Sequence, residues 1–162
     1  MVCCERASLR LKDCRLSAPA AAGVVHRNGG ALSLEGCVIE TGGAAVSAEV
    51  GAQENYTVRI IGSTLDARRP GGAALALWAP AGGRRTAVEV ELTSDTLRAA
   101  RAVGLTALPA GLHVTARGDE FFFRDADLSC AGYADRPGWR RATAWDGRDN
   151  HFHGAGPWIS VD

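Results

Sequence analysis

Six times along this chain one short phrase returns: apolar, any, apolar, any, any, small polar, any, apolar. It is clearest at Leu9, Leu11, Cys14, Leu16, at Leu32, Leu34, Cys37, Ile39, at Val58, Ile60, Ser63, Leu65 and at Val90, Leu92, Asp95, Leu97. Two looser copies follow, Val114, Ala116, Asp119, Phe121 and Trp145, Gly147, Asn150, Phe152. Alternation of this kind puts every second side chain on one face of a strand. The extra residue before the small polar position would break that alternation unless the chain bends there. The residues at that point are Asp13, Gly36, Gly62, Ser94, Gly118 and Asp149, and such residues tolerate turns, bulges and the left-handed backbone region. Each copy therefore reads as strand, bend, strand, with the small polar side chain turned back inward.

Between copies lies a second apolar burst: AAGVV at 21–25, GAAVS at 43–47, AALALW at 73–78 and AVGL at 102–105. A unit of about 23 to 32 residues holding two or three short strands predicts one coil of a solenoid. No long stretch keeps the 3.6-residue apolar period of a helix. The expected fold is all-β, a right-handed parallel β-helix of roughly six coils, forming a single domain over residues 1–162. Equivalent side chains should then stack: Leu9, Leu32, Val58, Val90 and Val114 in one column, and Cys14, Cys37, Ser63, Asp95, Asp119 and Asn150 as a structural ladder at the inner bend. Stacked Asp95 and Asp119 should not both ionise cheaply, so a wet bend or a shared proton is expected there. With the first and last coils unprotected, at least one end is expected to be uncapped, as in a fragment open to end-to-end association.

Composition narrows function by exclusion. Formal net charge is zero, so no overall field draws the chain to nucleic acid or a membrane surface. No apolar run reaches the length of a signal peptide core or a membrane span. Five cysteines, an odd number, with no secretory signal predict a reducing, cytoplasmic setting without a disulfide framework. Adjacent Cys3 and Cys4 lack companions that would complete a metal site, and no cofactor is expected.

The repeat resembles the right-handed parallel β-helix repeats of the pectate-lyase-like superfamily. Trp145, Gly147, Asn150 and Phe152 are also similar to a W-x-G-x-x-N-x-(Tyr/Phe) phrase of the β-helix regions that follow the kinase domain in certain bacterial serine/threonine kinases. Asp95 and Asp119 stand where that family often carries asparagine. The resemblance implies a non-catalytic scaffold or interaction module at the C-terminal end of a larger bacterial multidomain protein. The kinase elements themselves, a glycine-rich phosphate loop, D-F-G and H-R-D, are missing from the chain. The three letters HRN at His26–Asn28 precede Gly29-Gly30 and read as a solenoid turn. The alternative the superfamily implies is a carbohydrate-active enzyme, a polysaccharide lyase or glycoside hydrolase.

No catalytic residue and no metal ligand set is expected. Two groups are candidates for binding a protein or carbohydrate surface. One is the segment carrying Tyr133, Arg136, Trp139, Arg140 and Arg141, because arginine with aromatic rings suits anionic or protein contacts. The other is the pair His151 and His153, which alternate about Phe152 and should point outward above Glu120. Lys12 over Glu35 and Arg59 over Glu91 are expected as cross-strand pairs. Residues 66–85 and 129–145 are read as long insertions between coils.

Overall fold

A computed structural model of the chain describes residues 1–50, 55–80, 87–106, 111–131, 143–157 and 159–161. Among these residues every element is a β-strand and every strand pairing is parallel. No helix among them is long and apolar enough to cross a membrane.

The strands fall into three stacked rows. The first holds β2 (Leu9–Lys12), β5 (Ala31–Glu35), β8 (Asn55–Ile61), β11 (Ala87–Thr93), β13 (Gly111–Arg117) and β15 (Thr143–Arg148), and these form a six-stranded sheet. The second row holds β3 (Arg15–Ala18), β6 (Val38–Thr41), β9 (Thr64–Ala67) and β16 (His151–Gly154). The third holds β1 (Val2–Glu5), β4 (Val24–Arg27), β7 (Val46–Glu49), β10 (Ala73–Trp78) and β17 (Ile159–Val161). Two long strands, β12 (Thr96–Thr106) and β14 (Glu120–Ala131), belong to both rows and join them into one eleven-stranded sheet. By its first residues β12 pairs β9, and by its last it pairs β10. The result is an all-parallel, solenoid-like stack.

Register follows the sequence phrase position by position. Leu9, Leu32, Val58, Val90, Val114 and Trp145 lie in register across the first sheet. Leu16, Ile39, Leu65, Leu97, Phe121 and Phe152 do so across the second row. The inward members from Leu32 to Val114 and from Ile39 to Phe121 are buried. Each such aliphatic or aromatic side chain contributes about 1.5–3 kcal/mol by leaving water. Phe121 stacks on Phe152 at 4.9 Å between centroids and tilts against Trp145.

The bends take the conformation their residues suggest. Asp13, Gly36, Gly62, Ser94, Gly118 and Asp149 all have positive φ, between 51° and 67°. Asn28, in the HRN turn, has φ 52°. One left-handed residue turns the chain from the first sheet into the second row and restores the inward set. The insertions expected at 66–85 and 129–145 are corrected in part. Asp66 and Ala67 complete β9, residues 73–78 are β10, Ser129–Ala131 end β14, and Thr143–Trp145 open β15. The apolar burst at 73–78 is the strand within the first of these segments, and its small side chains are what a closely packed third row accommodates.

Candidate functional site

The inner ladder comes first, because it holds the strands that carry the outer face. Cys14 Sγ donates to Lys12 O at 3.2 Å, Cys37 Sγ to Glu35 O at 3.4 Å, and Ser63 Oγ to Ile61 O at 3.0 Å. A thiol or hydroxyl thus satisfies a carbonyl two residues back, which explains a cysteine in line with aliphatics. From Cys37 onward each backbone N–H donates to the next ladder side chain. Cys37 N meets Ser63 Oγ at 3.1 Å, Ser63 N meets Asp95 Oδ1 at 2.7 Å, and Asp95 N meets Asp119 Oδ1 at 2.8 Å. Asp119 N then meets Asn150 Oδ1 at 2.9 Å, and Asn150 Nδ2 donates to Ala116 O at 2.9 Å.

Asp95 and Asp119 are 1% and 0% exposed. Burial pushes Asp95 up to about 7, against the N–H groups of Ser63 and Thr93, and the Asp119 carboxyl adds to the rise. Burial likewise pushes Asp119 up to about 6, against the N–H groups of Asp95 and Arg117. The Arg117 N–H acts on this carboxyl without closing a hydrogen bond to Oδ2, which is buried without a partner. Both carboxyls are buried, and burial favours their protonated form.

On the outer face of the second row, the positions after the bend stack as Arg15, Val38, Thr64, Thr96, Glu120 and His151. The next outward column is Ser17, Glu40, Asp66, Arg98, Phe122 and His153. The structure brings His151 and His153 onto one carboxylate. His151 Nδ1 donates to Glu120 Oε1 at 3.2 Å, and His153 Nε2 to Glu120 Oε2 at 3.1 Å. Hydrogen bonding from His151 holds Glu120 below the usual carboxylate range, helped by His153. Tyr133, Arg136, Trp139, Arg140 and Arg141 lie outside the described residues.

Sequence reasoning did not single out the cleft that adjoins this face. It is an open depression of about 610 Å³ crossing β9, β12, β14 and β16, bordered by Asp66, Arg68, Arg98, Phe122, Arg124 and His153. The Arg98 guanidinium lies 4.9 Å from the Phe122 ring centroid, and Phe122 stacks on His153 at 4.5 Å with planes 10° apart. Arg68 is tied down by Asp66 Oδ2 and Glu40 Oε1, each at 3.2 Å. Arg124 owes its place to a bulge: Ala99 pairs Phe123 but Arg101 pairs Ala126, so β14 carries an extra residue and both Arg124 and Asp125 are exposed. The signal available beforehand was the outward column Asp66, Arg98, Phe122, His153; the bulge had no sequence mark.

Elsewhere several outer carboxylates are neutralised locally. Glu35 is bonded by Lys12 and Arg10, each at 3.0 Å, and these bonds, Lys12 foremost, lower its pKa. Arg59 meets Glu91 at 3.0 Å. Both pairs expected across strands are formed, and at such exposure each is worth less than about 1 kcal/mol. Among the described residues no group of three or more His, Cys, Asp or Glu is arranged to hold a metal ion. No protein-family model, curated protein or solved structure matches the chain.

Proposed function

We propose that the chain is a right-handed parallel β-helix of about six coils that serves as a non-catalytic interaction module, within the pectate-lyase-like group its repeat resembles. The fold reading is supported by the in-register stacking of every inward column and by six left-handed bends at the repeat position. The functional reading is carried by one observation: five carboxylates on the outer faces are committed to neighbouring cations, and those without one among the described residues, Glu89, Asp125 and Asp146, lie on different strands. Glu35, Glu40, Asp66, Glu91 and Glu120 each sit within 4.0 Å of a lysine, arginine or histidine nitrogen. General acid–base cleavage of a glycosidic bond requires two carboxyls facing one another across the substrate, and these are spent on holding the strand faces together.

The rival reading is a carbohydrate-active enzyme. It draws on Glu120, which two imidazoles flank on an exposed strand. Incubation of the chain with polygalacturonate, xylan and β-glucan, followed by assays for unsaturated products and new reducing ends, separates the two. The module reading expects no turnover above buffer. Cleavage that disappears on Glu120→Gln would overturn it. The hand of the coil is tested by an experimental structure.

A further inference from the structure

We infer that the cleft across β9, β12 and β14 binds an acidic segment of a partner protein, with Arg98 and Arg124 receiving its carboxylates. The inference rests on the module reading and names its partner chemistry.

Charge is the first ground. Three guanidiniums and one imidazole border the cleft against a single carboxylate, Asp66, which Arg68 already holds. Among the described residues, neither Arg98 nor Arg124 has a carboxylate within 4.0 Å. Lys12 and Arg59 elsewhere are matched locally, and Arg117 and Arg148 are unmatched among the described residues but border no such cleft; Arg98 and Arg124 are unmatched and line one concavity together. Two unmatched arginines in a concave site form a receptor for carboxylates, since the guanidinium fork fits them in bidentate fashion.

Preorganisation is the second ground. Arg98 rests over Phe122, Phe122 is stacked on His153, and His153 is bonded to Glu120. A guanidinium held on a ring loses less freedom on binding than one waving in solvent. Strands lie about 4.8 Å apart, and alternate side chains of an extended peptide lie about 7 Å apart on one side. Arginines on adjacent strands, two or more positions apart along them, can therefore meet successive acidic residues of such a peptide.

The same stack decides against other anions. Arg98 on β12 covers one side of Phe122 and His153 on β16 covers the other. Neither face of Phe122 is left for a sugar ring or a nucleobase to lie on, and single-stranded nucleic acids depend on such platforms. An acidic peptide needs none. It requires only cations and a shallow apolar floor, which Ala67, Ala99 and Phe123 provide.

The test uses a fluorescein-labelled polyglutamate peptide and fluorescence anisotropy at low ionic strength, with polyglutamine as the neutral control. Polyglutamate should bind, polyglutamine should not, and physiological salt should weaken the complex. Arg98→Gln with Arg124→Gln should weaken it by about tenfold or more. Arg59→Gln, an exposed arginine on the other sheet, should leave it unchanged. Absence of polyglutamate binding, or an equal loss in Arg59→Gln, would overturn the inference. Tighter binding of oligogalacturonate through the same two arginines would also overturn it and assign the cleft to an acidic saccharide. Neither failure touches the module reading, which the polysaccharide turnover assay tests separately.

Discussion

Replacing Asp119 with asparagine should make the fold more stable at pH 8, and by about half as much at pH 5. Asp119 Oδ1 accepts the Asp95 N–H, and Oδ2 is buried without a partner. An ionised carboxylate there is stranded in an apolar bend. Asparagine keeps the acceptor and turns the orphaned oxygen into an N–H₂ group. One coil on, Asn150 uses that group to reach Ala116 O at 2.9 Å. The register places Leu92 at the corresponding position for residue 119. The folded chain raises the Asp119 pKa from 3.8 to about 6. A raised carboxyl pKa means that the folded state holds its proton more tightly than the unfolded state. Its stabilisation is complete below the unfolded value near 4 and is lost as pH climbs through about 6. A shift of two units corresponds to about 3 kcal/mol by pH 8. The variant should recover about 2–3 kcal/mol of that, a rise of roughly 4–12 °C in melting temperature for a chain of this size. Removing the Asp119 charge also relieves Asp95, whose pKa of about 7 it helps to raise. Urea unfolding followed by far-UV circular dichroism from pH 5 to pH 8, plotted as the difference between variant and parent, cancels every other titrating group except Asp95. A difference that stays flat with pH, or a variant less stable than its parent at pH 8, would refute the reasoning. Asp95→Asn is a sharper contrast than a second copy of the same test. Asp95 Oδ2 accepts the Thr93 N–H at 2.9 Å, so an amide nitrogen there faces another donor, and the gain at pH 8 should be smaller than for Asp119→Asn.

Further outcomes follow from single bends and contacts. Gly62→Ala should destabilise by about 1–2 kcal/mol in chemical denaturation, because φ is 57° while nothing lies within 4 Å of the added carbon; the loss is backbone strain alone. Tyr56→Phe should lower the urea midpoint by an amount equivalent to about 1–3 kcal/mol. The Tyr56 hydroxyl donates to Nδ1 of buried His26, whose Nε2 donates to Ala7 O at 2.6 Å, and the change leaves a ring nitrogen unsatisfied. Phe121→Ala should cost about 3–5 kcal/mol, since the ring is fully buried between Trp145 and Phe152. Lys12→Gln should leave the melting temperature nearly unchanged in a thermal scan, because its partner Glu35 keeps Arg10.

What the chain's letters determined by themselves was local and periodic. Alternation dictates which side chains share a face, and a glycine, aspartate, serine or asparagine at the repeat position permits a left-handed bend. Repetition of the phrase then implies that like residues stack, so the columns, the ladder from Cys14 to Asn150 and the Lys12–Glu35 and Arg59–Glu91 pairs were readable before any coordinates. The third row was readable as the apolar bursts between copies, but not its register, because alanine and glycine carry little alternating signal. The cleft was out of reach. Its members come from strands some 24 to 33 residues apart, as the ladder and His153–Glu120 separations attest. Its floor forms only where β12 and β14 carry the second row into the third without a break. Arg124 is turned outward by an extra residue in β14 that no local preference announces. Backbone propensity acts between neighbours in sequence, while charge balance and concavity depend on neighbours in space, and only the stacked coils supply those.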